Sequence, residues 1–165
     1  MRRTVAALSI AAASFAASAA LAQDCHHAKV AERGDHVMGF DHTKTTHHFR
    51  LLPAGGAIEV SANDAADTES RDAIRGHLSH IATMFAAGDF DAPMLIHDRV
   101  PPGVPAMKRK KDRIGWRFEE TENGGRVLIE TKDAEALAAI HEFLRFQIED
   151  HQTGDPTEVA TAPKN

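Results

Sequence analysis

The stretch THHFRLLPAGGAIEVSA, residues 46–62, decides the fold. Thr46 to Leu52 and Ala57 to Ala62 are β-prone runs on either side of Pro53-Ala54-Gly55-Gly56, and that punctuation predicts a hairpin. Directly after it, DTESRDAIRGHLSHIATMFAA (67–87) repeats apolar residues at helical spacing and stops at Gly88, which predicts a long helix. The unit reads ββα.

Downstream the pattern recurs. Ile114 to Thr121 and Arg126 to Thr131 flank Glu122-Asn123-Gly124-Gly125, and a helix is predicted from about Asp133 to His151, ending near Gly154-Asp155. Gly55-Gly56 matches Gly124-Gly125 at an offset of 69, whereas Ile74, Leu78 and Gly88-Asp89 match Ile140, Leu144 and Gly154-Asp155 at an offset of 66. This reads as an internal repeat. In each pair of strands apolar and polar residues alternate, with Ile58, Val60, Val127 and Ile129 on the buried face, so one face of the sheet is covered. The expected fold is an α+β two-layer sandwich: a four-stranded antiparallel sheet with two helices on one face.

Outside these units lie four other segments. Residues 1–22 read as a signal peptide, with Arg2 and Arg3 before an Ala-rich apolar stretch and Ala20-Leu21-Ala22 as the cleavage pattern. Residues 23–45 form a polar, His-rich arm with a short helix from Asp24 to Arg33 stopped by Gly34. Residues 89–113 are a proline-shaped crossover, with a short strand over Pro93 to His97 and a basic helix through Lys111. Residues 156–165 read as a disordered tail. Residues 46–155 are then one domain, holding the repeats 46–88 and 114–154.

The 165 residues carry 19 Lys+Arg against 24 Asp+Glu, for a net charge of −5; without Arg2 and Arg3 the balance is −7. The charges are mixed and Lys108 to Lys111 is the sole basic run, which excludes the electrostatic footprint of a nucleic-acid binder. No later apolar run is long enough to span a membrane. The expected location is the periplasm or the medium. Cys25 is the single cysteine, so it is free, intermolecular or a ligand.

Histidine is the unusual residue, with all 11 lying beyond residue 22. On the first long helix Ile74, Leu78, Ile81 and Phe85 form a core stripe, and His77, His80 and Met84 a strip beside it. Spacings of three and four residues let two imidazoles and a thioether approach one ion. Imidazole suits copper and zinc, and a thioether favours cuprous copper. In the second repeat the matching positions are Phe143, Phe146 and Asp150, so the strip belongs to the first helix alone. On the first strand His47 matches Trp116 and is expected to face the helices, within reach of that strip; Met38, His36, His97 or Met107 would complete the coordination sphere. Each feature has a structural reading as well: a helical His pair is often a solvated surface pair, His47 alone a satisfied core imidazole, and Met84 gap filler. His26-His27 beside Cys25 reads either as a metal-capturing arm or as a polar terminus. His151 reads as structural or as closing its helix C-terminus, where a cation is favoured. Arg145 and His141 could bind an anion.

From Met38 to Asp155, the segments MGFDHTKTTHHF, IRGHLSHIATMFAAGDF, PPGVPAM and FLRFQIEDHQTGD together resemble a family of small exported bacterial proteins. Some members carry the label aspartate carbamoyltransferase; that enzyme has a chain about twice as long, two α/β domains and a Ser-Thr-Arg-Thr-type phosphate loop, none of which is in this sequence. The resemblance implies a folded exported domain and brings no reaction, ligand or site residue.

The leading expectation is a periplasmic metal-binding protein, copper before zinc, with His47, His77, His80 and Met84 at its centre and the arm bearing His36 and Met38 closing over them. The alternative is a metal-free domain that binds a small molecule or partner in the groove between the helices and the Asp89 to Arg113 crossover. A metal-dependent enzyme ranks third, because no GxSxG, HExxH or phosphate-binding glycine loop is present.

Overall fold

The computed structural model describes residues 25–161; the signal peptide expected over 1–22 lies outside them. Helix α1 runs over 25–38 and is followed by a 3-10 turn, His42–Lys44. Strands β1 (Thr45–Leu52) and β2 (Gly55–Ala62) form the first hairpin, and α2 (Thr68–Ala87) follows it. The crossover holds α3 (Asp91–His97), α4 (Val104–Arg109) and a 3-10 turn, Lys111–Arg113. The second unit is β3 (Ile114–Thr121), β4 (Gly124–Thr131) and α5 (Ala134–Asp150).

The fold is the expected α+β sandwich. One antiparallel sheet has the order β1-β2-β4-β3, and both hairpins are tighter than their punctuation suggested. Gly55 already pairs with Leu52, and Gly124 with Thr121, so only Pro53-Ala54 and Glu122-Asn123 are left as turns. Both long helices start on an aspartate: Asp67 accepts from the Ser70 amide at 3.0 Å, and Asp133 from the Glu135 and Ala136 amides, each at 3.0 Å. α2 closes at Gly88, whose φ of 84° admits the left-handed residue that ends a helix.

The helices are exchanged between the units. α2 packs mainly on β3 and β4, and α5 mainly on β1 and β2. A Cβ at Gly56 would overlap Leu144 of α5, and one at Gly125 would sit 3.2 Å from Leu78 of α2. Leu78 and Leu144, like Gly56 and Gly125, are equivalent positions of the two units. The absence of a side chain in each hairpin thus seats a buried leucine from the other unit's helix. Around these contacts Ile58, Val60, Val127, Ile129, Ile74 and Ile140 are all buried. The outer face carries a row of charges instead: Arg50 pairs with Glu59 at 3.5 Å, Arg126 donates to Glu119 at 2.6 Å, and Arg117 pairs with the same glutamate.

Three segments differ from expectation. Pro93 to His97 is helix, not strand: the Asp89 carboxylate accepts from the Asp91 amide at 2.9 Å, and Pro93 sits in the first turn, where its missing N–H costs nothing. α1 continues past Gly34, which is buried against the body, and stops at Gly39 with a φ of 80°. Residues 156–161 are held rather than loose, because the Ala160 amide donates to the Leu51 carbonyl at 2.9 Å and Arg145 Nε to the Thr157 carbonyl at 3.0 Å. Asp155 anchors this segment. Its buried carboxylate accepts from the Phe49 amide at 2.9 Å, from Thr153 Oγ1 at 2.7 Å and from Arg50 at 3.2 Å, and it meets His48 Nδ1 at 2.9 Å.

Candidate functional site

The N-terminal end of β1, the middle of α2 and the C-terminal end of α5 meet beneath α1. There a cavity of about 50 Å³ is walled by Met38, His47, His77, Gln147 and His151 together with core residues that include Phe49, Ile58, Val60, Leu78, Phe85 and Phe143. A second chamber of about 250 Å³ lies between α1 and the body, lined by His27, Val30, Met38, His42, His47, Asp150 and His151 among others. Met38, His47 and His151 border both.

As its match to Trp116 predicted, His47 points into the sheet's covered face, two residues before Phe49. Its ring lies 5.8 Å from that of Phe40, and Phe40 is 5.7 Å edge-on from His77, so one buried phenyl ring touches both imidazoles. On its other side His47 lies 6.1 Å from His151, with the ring planes 6° apart. Nε2 of His47 is buried and has no hydrogen-bond partner among the described residues. A buried polar atom without a partner is a standing cost that a ligand or water can relieve.

Burial decides the charge of these rings. Desolvation, helped by the neighbouring imidazoles, pulls His47 and His77 down to about 4 and His151 to about 3. All three are neutral at pH 7, the form in which imidazole binds metals. His151 does close α5, its amide donating to the Gln147 carbonyl, but burial keeps the ring neutral, so it acts there without a charge. Their nitrogens do not all lie within 4.8 Å of one another, so a shared ion requires a ring to rotate about its side-chain bonds.

The predicted strip divides. His47, His77 and Met38 share the cavity, but His80 is exposed, Met84 packs on the core outside the cavity, and His36 is exposed on α1. The reason is angular: His80 lies one turn further along the solvent flank of α2, beyond the reach of β1. Met107 is fully buried core, and His97 is bound elsewhere. The anion reading of Arg145 and His141 is also corrected. His141 Nε2 lies 2.9 Å from the Leu52 and Gly55 carbonyls, and Arg145 is committed to Thr157.

What the sequence reading missed is the support beneath the cavity. Asp150, nearly buried, meets His97 Nδ1 at 2.6 Å and His26 Nε2 at 2.9 Å, and accepts from Arg99 at 3.0 Å. Burial opposes its ionisation, but the hydrogen bonds from His26 and His97 outweigh that and hold the carboxyl below the usual range. Burial likewise lowers His97, against the pull of Asp150. The other ring nitrogen of His97, Nε2, lies 3.0 Å from Oε1 of the Gln147 amide. Gln147 Nε2 is buried and has no hydrogen-bond partner among the described residues. The available signal was a polar triplet, Gln147, Asp150 and His151, on the core-facing side of α5.

Asp35, Asp41 and His42 bring donor atoms within 4.8 Å of one another on the surface. Both oxygens of Asp35 are engaged by the amide and ring of His42, and Oδ1 of Asp41 by the Thr43 amide and hydroxyl. No helix of the described residues is long and apolar enough to cross a membrane. No protein-family model, curated protein or solved structure matches this chain.

Proposed function

We propose that this is an exported transition-metal-binding protein, copper before zinc, that buffers or delivers its ion, with His47, His77, His151 and Met38 as the binding set. The observation that carries the reading is the convergence of three neutral imidazoles and a thioether on one cavity, with His47 Nε2 left unpartnered there. The donors come from a strand, two helices and the arm and line one cavity, which supports the reading. Three nitrogens, one sulfur and no carboxylate form a soft set, which favours cuprous copper. The volume supports an ion over an organic molecule, since about 50 Å³ holds no more than a few water-sized occupants.

A second reading, a metal-free binding domain, draws on the 250 Å³ chamber, which is large enough for a small polar molecule. A metal-dependent hydrolase needs a free acid or base beside an open ligand position, and Asp150 is committed to three partners.

The test is elemental analysis of untagged protein exported with its own N-terminal segment, beside His47→Ala, His151→Ala and His80→Ala. Near-stoichiometric metal that is lost in the first two variants and kept in the third supports the reading. A wild type that carries no metal, and takes up neither cuprous copper nor zinc on titration, ends it.

A further inference from the structure

We infer that the outer chamber is a metal-acquisition site, in which His27 and His42 take a cuprous or zinc ion from outside and pass it to the His47–His151 wall. This rests on the metal reading of the inner cavity and goes beyond it, since it assigns a second, transient site and a direction of travel.

Two observations carry it. The first is how the two histidines are held. His42 Nδ1 lies 2.8 Å from Asp35 Oδ2, and His27 Nδ1 lies 3.1 Å from the Asp150 carbonyl oxygen. A carboxylate and a carbonyl only accept, so in the neutral ring Nδ1 carries the proton and donates it, and Nε2 is left with its lone pair exposed. Metal-ligating histidines are characteristically oriented in this way, with one ring nitrogen donating to a carboxylate or carbonyl. The anchors fix the rings of His27 and His42, both of which line the chamber.

The second observation is continuity. Met38, His47 and His151 line the outer chamber and the inner cavity alike, so an ion leaving His27 and His42 meets the residues that form the inner site's rim. Each step exchanges one nitrogen or sulfur donor for another at an ion of unchanged charge; no electron need move. His42 is exposed to solvent whereas His47 Nε2 is buried, which orders the exchange from solvent to core.

The experiment follows the rate of uptake rather than its end point. Cuprous copper is presented as its bicinchoninate complex to the full-length exported protein, and loss of the complex's colour is followed in stopped flow. His27→Gln and His42→Gln are expected to slow transfer by about tenfold or more, with the same final stoichiometry. Asp35→Ala, which removes the anchor and leaves His42 in place, is expected to slow it as well. His80→Gln and His36→Gln, exposed and outside the chamber, are expected to transfer at the wild-type rate. Equal rates in the wild type, His27→Gln and His42→Gln overturn the inference while leaving the inner site standing. Equal slowing in the His36 and His80 controls also overturns it, because capture would then belong to surface imidazoles in general. A wild type that removes no copper at all defeats both readings.

Discussion

The imidazole of His47 lies parallel to that of His151, the ring centroids 6.1 Å apart and the planes 6° apart, and neither ring carries a charge. One belongs to the first strand and the other follows the last helix, so the pair ties the two ends of the domain together where the chambers meet.

That pairing makes stability depend on pH. His47 and His77 sit near 4 and His151 near 3 in the folded protein, against about 6.5 in an unfolded chain. Below pH 6.5 the unfolded chain takes up protons that the folded one refuses, so stability falls as pH drops from 6.5 towards 4 and is fully present above 6.5. Each ring contributes a slope of at most about 1.4 kcal/mol per pH unit. Urea titrations of the metal-free protein at pH 7 and pH 5 should show a loss of a few kcal/mol; equal midpoints would mean that the rings are not buried as neutral groups.

Met38 should tune the choice of ion. Met38→Leu keeps the apolar wall and removes the sulfur, so cuprous affinity is expected to fall about tenfold while zinc affinity changes little. Competition with chelators for each ion measures both, and a parallel fall for zinc would show that the thioether is packing alone.

Asp150 should be the costliest polar residue to remove. Asp150→Ala removes the acceptor of His97 Nδ1 and releases His26 and Arg99, which is expected to cost about 1–3 kcal/mol. The same change should expose α1 to proteolysis at Lys29 and Arg33, read by mass spectrometry of a brief tryptic digest. An intact arm in the variant would show that Val30 and Arg33 suffice to hold it.

Much of the framework was legible, because hairpins and amphipathic helices write their period into the chain. Asp67 and Asp133 marked the helix starts, and the Gly-Gly pairs marked the hairpins, although they open β2 and β4 instead of forming the turns. The inward face of His47 was readable from its match to Trp116. The site was only half legible. His77 and His80 share a helix strip, and sequence spacing does not say which of them the edge strand reaches. His151 occupies the position equivalent to Phe85, and a histidine on a core stripe reads as packing until its neighbours are known. The arm and the segment after Asp155 carry no apolar period, because what fixes them is hydrogen bonding to Asp150 and to β1. Pro93 to His97 was misread because five residues are too few for a helical period to show.

The repeat carries its own check. Leu78 and Leu144 are equivalent, each buried over the other unit's glycine, so Leu78→Ala and Leu144→Ala are each expected to cost about 2–5 kcal/mol. Similar shifts in denaturation midpoint would confirm that the two seats are equally filled; a near-silent Leu78→Ala would show that α2 is loosely packed.

The exchange of helices between the units also governs how the chain can reach its native state. A polypeptide that has emerged only as far as α2 holds a hairpin without its cover and a helix without its main sheet partner: α2 waits for β3 and β4, and the first hairpin for α5. Closure depends on contacts distant in sequence, which slows folding and keeps the first half extended while the second is being made. Export of the unfolded chain, as proposed above, would be served by that delay.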